Sequence, residues 1–289
     1  MSVFKPTEKD IEYIKENYMS MNSKDIASKL GCSVSYVNKI GKTVSNGKKK
    51  KRRYYFNENY FENINTYEQS YWLGFIMADG CVYSRDNHES LLRICLNNQD
   101  YNHVVKFKNE LKSNHPIKTY ELNNHKYCAI TLVSDKLCND LRRYGCFERK
   151  TGKIRLPEFN DDVLTWAFIH GYIDGDGSIS ITNMGNYDRY KLDIVGNIEL
   201  LEAINSFTSR FNIIGKIHED KRDYSFKFYS LTYQRTEFLN EIFNNTYNKN
   251  IVYLDRKMEN VIKFYKYKYD KNKEYYNLKD KIKVIHSNK

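Results

Sequence analysis

No stretch of this chain approaches the roughly 18 consecutive apolar residues that a membrane-spanning helix requires, so no transmembrane segment is expected. The opening residues, MSVFKPTEKD, lack the apolar core of a secretory leader. Cysteine is sparse and unpatterned. Cys32, Cys81, Cys95, Cys128, Cys138 and Cys146 form no CxxC pair. Together with the histidines they make no cluster at zinc-ligand spacing. These absences exclude a disulfide-stapled secreted scaffold and a zinc ribbon. They predict reduced thiols in a cytoplasmic protein.

What the chain does have is positive charge. Its 289 residues carry 47 Lys and Arg against 36 Asp and Glu, a formal net charge of +11. Such an excess favours a polyanionic partner, and nucleic acid is the commonest. The charge is concentrated: residues 48–53 read KKKKRR, and eight lysines fall between Lys263 and Lys283. With 40% apolar residues the chain is globular in composition and long enough for two or three domains with a well-buried core.

Residues 7–45 read as three short helices. Thr7 is an N-cap candidate, with Asp10 three positions on and Ile11, Ile14 and Tyr18 following. Ser23 can cap a second helix whose inner face is Ile26, Ala27 and Leu30, and Gly31 ends it where a tight turn wants positive φ. Ser33 caps a third, with Val34, Val37 and Ile40 inward and Ser35, Tyr36, Asn38, Lys39 and Lys42 outward. Ala27, Gly31 and Val37 stand where a helix-turn-helix needs small, turn-forming and apolar residues. The outward side chains are types that reach base edges or phosphates. A plain three-helix packing module is the alternative. The run that follows, with Lys48, Lys49, Lys50, Lys51, Arg52 and Arg53, reads as a flexible basic linker, a nuclear-localisation run being the rival.

From there the chain repeats itself. YWLGFIMADG at 71–80 precedes strands near 81–85 and 90–97, a helix near 101–112, strands near 116–122 and 126–133, and a helix near 135–144. FIHGYIDGDG at 168–177 precedes strands near 178–182 and 189–195, a helix near 198–211, strands near 215–219 and 224–231, and a helix near 235–246. Each half is therefore expected to be αββαββα, an α+β fold with approximate two-fold symmetry.

The two decapeptides carry the chemistry. As helices, each sets small residues four apart on one face: Gly74 and Ala78, then Gly171 and Gly175. Two such faces can approach closely, leaving Phe75, Ile76, Tyr172 and Ile173 for the cores. Each helix ends in Asp-Gly, and the glycine is the expected left-handed terminator. The acids Asp79 and Asp176 are misplaced for stability. A carboxylate at a helix C-terminus costs about 0.3–1 kcal/mol, and bringing two together adds like-charge repulsion. A divalent cation between them would make sense of the arrangement.

Both motifs, WLGFIMADG and IHGYIDGDG, resemble the LAGLIDADG signature in its single-chain, two-motif form, over about residues 54–265. The resemblance implies motif helices at the interface of two domains and two saddle-shaped sheets over the DNA major groove. It implies cleavage of both strands of a long site with Mg²⁺ (or Mn²⁺). Carried over residue by residue, it makes Asp79 and Asp176 metal-binding acids, with the backbone carbonyls of Ala78 and Gly175 beside them. The earlier motif acid falls on Asp174 but on Met77 in the first half, a departure at a position not taken as metal-binding. A basic residue expected beside each site falls on Lys150 and Lys249, with Lys153 and Lys257 as alternatives. DNA contacts are expected from the strands, at Tyr83, Arg85, Ser178, Ser180, Thr182, Arg189, Lys191, Lys216, His218, Lys227 and Tyr229, the parity facing DNA being open.

The expected organisation is a helix-turn-helix over 1–45, the linker at 46–53, LAGLIDADG domains over 54–157 and 158–265, and a basic tail over 266–289. The expected protein is a monomeric homing endonuclease acting on double-stranded DNA. A non-cleaving DNA-binding regulator and a maturase binding intron RNA are the alternatives. Degenerate regulators tend to lose the acidic pair, which is present here. A chain that opens with Met and closes with SNK is not expected to splice itself as an intein.

Overall fold

The computed structural model describes residues 6–45, 54–86, 88–150, 152–185, 187–220, 227–249 and 252–270. The linker lysines and arginines at 48–53 and the stretch after 270 lie outside the described residues. The chain divides into two compact units, 1–55 and 56–289.

The first unit holds α1 (Glu8–Asn17), α2 (Ser23–Leu30) and α3 (Val34–Ser45) around Ile14, Ile26, Ala27 and Val37. Thr7 and Asp10 form a reciprocal capping box on α1. Gly31 closes α2 at φ 66°, in the left-handed region. Two expectations are corrected. The cap of α2 is Asn22, whose side chain accepts from the Lys24 amide at 3.0 Å, because the Ser23 hydroxyl is turned to Asn38 Oδ1 at 2.7 Å. Val34, at the first turn of α3, is 36% exposed rather than inward.

In the second unit, two segments of like order share one core. The first half is α4 (Tyr67–Asp79), β1 (Gly80–Arg85), β2 (His88–Asn97), α5 (Tyr101–Glu110), β3 (Lys118–Leu122), β4 (His125–Val133) and α6 (Asp135–Arg143). The second is α7 (Asp162–Asp176), β5 (Gly177–Asn183), β6 (Asp188–Gly196), α8 (Ile198–Ser209), β7 (Lys216–Glu219), β8 (Tyr229–Tyr233) and α9 (Thr236–Asn245). Both sheets are antiparallel and share one strand order, β1-β2-β4-β3 and β5-β6-β8-β7. The last strand falls later than the 224–231 expected. A helix not foreseen, α10 (Asp255–Asp270), closes the second half and buries Met258, Val261 and Phe264.

Unlike amphipathic surface helices, α4 and α7 are buried almost all round. One side of each meets the other helix, and the rest enters the core. They run parallel: Ser70 Oγ donates to the Leu164 carbonyl at 2.6 Å near their start, and Ala78 meets Gly175 near their end. A Cβ on Gly74 would stand 2.1 Å from the Phe168 carbonyl oxygen, and one on Gly171 would stand 1.8 Å from that of Tyr71. Glycine is therefore required here by backbone proximity, as the small-residue spacing predicts.

The helix terminators behave differently from expectation. Gly80 (φ −84°, ψ 154°) and Gly177 (φ −93°, ψ 162°) are extended, not left-handed. The chain passes directly from helix into strand, so no reversal is needed. Glycine is needed for space instead: a Cβ would lie 2.8 Å from the Ile76 carbonyl oxygen or 2.5 Å from that of Ile173.

Candidate active site

Because the two helices run parallel and touch through glycine and alanine, their C-termini finish together, and with them Asp79 and Asp176. Asp79 is reached by solvent and Asp176 is half-buried. Both sit in a recess with enough protein around them to disfavour charge. Burial, and next the charge of Asp176, push the Asp79 carboxyl up to about 6 from an ordinary 3.8, against the pull of Lys257, Lys150 and Arg256. Burial also raises Asp176, opposed by the nearby Tyr172 hydroxyl, which itself donates to the Val195 carbonyl at 3.1 Å, and by the same two lysines. The helix ends add their own negative partial charge.

Two ammonium groups answer it. Lys150 is buried and its Nζ donates to the Gly80 carbonyl, at the end of α4. Lys257 is buried too, and its Nζ donates to the carbonyls of Ile173 at 2.5 Å and Asp174 at 2.6 Å, at the end of α7. Burial lowers the Lys257 ammonium to about 8 from 10.5, while Asp174 opposes the shift. Of the basic candidates, Lys150 stands at the first helix end. Lys257, the alternative to Lys249, stands at the second. Lys249 lies in a short 3₁₀ turn, Tyr247–Lys249, and its side chain is outside the described residues. Lys153 is exposed. Beside the acids a pocket of about 100 Å³ is lined by Ala78, Lys150, Tyr172, Asp176 and Asn197 among others.

Among the described residues no group of three or more His, Cys, Asp or Glu side chains gathers to hold a metal. The donors at the helix ends are two carboxylates and backbone carbonyls. That is a hard-oxygen set, open to solvent on one side, of the kind that suits Mg²⁺ with water or phosphate oxygens completing its shell.

Strand alternation sorts the remaining candidates. In the second sheet Ser178, Ser180 and Thr182 on β5 and Arg189 and Lys191 on β6 face away from the core, alternating with Ile179, Tyr190 and Leu192. Lys216 and His218 on β7 are exposed likewise. Lys227 precedes β8, is exposed, and pairs with Glu219 at 3.0 Å. Tyr229 is corrected: it shares the parity of Leu231 and Tyr233 and packs against the core. In the first sheet Tyr83 is 47% exposed, and the side chain of Arg85 is outside the described residues. Three outward side chains there escaped sequence reading. Arg93 donates to the Tyr120 hydroxyl at 2.9 Å, and Tyr120 stacks on Tyr127 with ring centroids 5.8 Å apart. In the separate first unit Lys39 and Lys42 are exposed, Tyr36 is half-buried against its core, and Asn38 is held by Ser23.

Residues 164–266 match the sequence profile of a LAGLIDADG-like domain. No curated protein matches the chain. Among solved structures the chain is similar to the LAGLIDADG homing endonuclease I-GzeII in complex with its DNA target, at 13% identity and a TM-score of 0.49, over 73% of this chain and 92% of that one. It is also similar to I-LtrWI bound to target DNA, at 13% identity and a TM-score of 0.46, over 79% and 97% of the two chains. A third, I-SmaMI bound to cleaved DNA, aligns at 12% identity and a TM-score of 0.46, over 69% and 87%.

Proposed function

We propose that this chain, which carries a LAGLIDADG-like domain over residues 164–266, is a monomeric, site-specific DNA endonuclease that cuts both strands of a long duplex site with a divalent cation. One observation carries the reading: two acids, one from each glycine-packed helix, end side by side in a solvent-open recess flanked by two buried lysines. Stability alone disfavours such a pair. A polyanion with its cations would relieve it.

Asp79 and Asp176, with the carbonyls of Ala78 and Gly175, are the groups that would hold Mg²⁺ or Mn²⁺. The bound cation would polarise a scissile phosphate and lower the pKa of water. The chain's own residues do the rest. Lys150 and Lys257 hold positive charge beside the recess, where it offsets charge developing on phosphate oxygens. Tyr172 lines the recess beside Asp176, its hydroxyl held by the Val195 carbonyl at 3.1 Å. The outward strand residues, Arg189, Lys191, Lys216 and His218 with Arg93, Tyr120 and Tyr127, would meet groove edges and phosphates. In the first unit Lys39, Lys42 and Tyr36 of α3 would add contacts as a helix-turn-helix does, and the run from Lys48 to Arg53 would add phosphate contacts.

The test is selection of cut duplexes from a randomised DNA library with Mg²⁺. We expect one long family of sites, cut on both strands. Tight binding to a defined site with no cut at any Mg²⁺ or Mn²⁺ concentration would favour the non-cleaving regulator instead.

A further inference from the structure

We infer that Asp174, the buried acid two residues before Asp176, is a positioning residue that ties Lys257 to the end of α7. The inference rests on the nuclease reading for what Lys257 does, but the tie itself is read from the fold. Asp174 has no solvent exposure. A carboxylate in that position must be fully partnered. Tyr71 donates its hydroxyl to Oδ2 at 2.6 Å, Tyr247 donates to Oδ1 at 2.6 Å, and the Leu254 amide donates to Oδ2 at 2.7 Å. His170 Nε2 lies 3.6 Å from Oδ2.

The amide bond gives the acid its purpose. Leu254 immediately precedes α10, so the carboxylate takes one of that helix's orphan N–H groups at its positive end. Three residues on, in the first turn, Lys257 returns to α7 and donates to the Ile173 and Asp174 carbonyls. The two helices are thus tied crosswise. A side chain of α7 holds the backbone of α10, and a side chain of α10 holds the backbone of α7.

The first half completes the clamp. Besides Tyr71 on α4, Lys106 on α5 bonds Asp255 at 2.7 Å and the Tyr253 carbonyl at 2.8 Å, and Asp100 pairs with Arg256 at 3.1 Å. Lys150 has no counterpart of this acid, since Met77 stands buried where the second half has Asp174. The missing acid of the first motif and the retained acid of the second therefore correspond to two different ways of holding a lysine.

The experiment combines a metal-free structural readout with a kinetic cycle. In the Asp174→Asn variant, amide hydrogen exchange over residues 254–258, without divalent cation, should quicken by about ten- to hundred-fold relative to wild type. Unchanged protection there would overturn the tie, whatever the protein cuts. On the duplex selected from the library, Asp174→Asn should lower kcat by about 100-fold with KM within about three-fold. It should add nothing further in the Lys257→Met background, whereas multiplying losses would show that Asp174 does not act through Lys257. If Asp174→Asn does not fold, Tyr247→Phe removes one donor and keeps the Leu254 bond. Its smaller kcat loss should likewise vanish with Lys257→Met, and persistence would refute the inference. A wild type that cuts no duplex would sink the nuclease reading, with the exchange measurement still judging the tie.

Discussion

Replacing Asp79 by asparagine should make the cation-free protein more stable. The Asp79 carboxyl is pushed from an ordinary 3.8 up to about 6, first by burial and then by Asp176. For a raised acid the sign runs against the charged form. Below about pH 4 both folded and unfolded carboxyls are protonated and nothing is lost. Between about pH 4 and 6 the unfolded chain gives up its proton while the folded chain keeps it, so stability falls as pH rises. Above about pH 6 the loss is constant. A shift of that size would be worth about 3 kcal/mol in full linkage. Asp79 is open to solvent, and screening reduces the figure to about 1 kcal/mol, comparable with the cost of a carboxylate at a helix C-terminus. Asp79→Asn should therefore raise Tm by roughly 2–4 °C at pH 8 in chelator. It should show no gain at pH 3.5. Added Mg²⁺ should stabilise the wild type and not the variant. An Asp79→Asn protein less stable than wild type at pH 8 in chelator would refute the reasoning, since the acid would then be contributing to the fold.

Gly171→Ala should destabilise by about 3 kcal/mol in urea unfolding, because its Cβ would fall 1.8 Å from the Tyr71 carbonyl oxygen and force the motif helices apart. A cost below about 1 kcal/mol would mean that the helices are not held at this separation. Metal-dependent cutting should fall about ten-fold per pH unit below about pH 6, because Asp79 must lose its proton to ligate. A flat profile down to pH 5 would remove Asp79 from the metal site. Deleting residues 1–53 should weaken DNA binding and its salt dependence while leaving cutting of bound DNA intact. A folded but inert product would contradict the division of labour between the two units.

Much of the fold is legible in the sequence because the chain states it twice. The repeated decapeptides and the strand pattern predict two like halves, and the spacing of Gly74, Ala78, Gly171 and Gly175 predicts the close helix pair. The acids follow from the same spacing, since parallel helices meeting there must end together. What was not legible depends on distant chain. The spacing of Met258, Val261 and Phe264 is helical and points to α10, but the pattern of the second half assigns no element after 246, and the basic residues from 266 on read as a tail although α10 runs on to Asp270. Without α10, Lys257 has no address. Lys249, nearer the end of α9 in sequence, looked the better partner. The role of Asp174 was hidden for the same reason, since its partners Tyr71, Tyr247 and Leu254 come from three separate segments. Gly80 and Gly177 mislead because glycine after a helix usually signals a left-handed turn, whereas here it makes room for a strand.

The most direct test is to assay Asp79→Asn, Asp176→Asn and the double variant on a plasmid bearing the selected site, with metal-free DNA binding measured in parallel. Double-strand cutting should be lost in all three, while DNA affinity stays within about three-fold of wild type. Linear plasmid produced at near wild-type rate by the double variant would show that the two acids at the joined helix ends are not where the phosphodiester bond is broken.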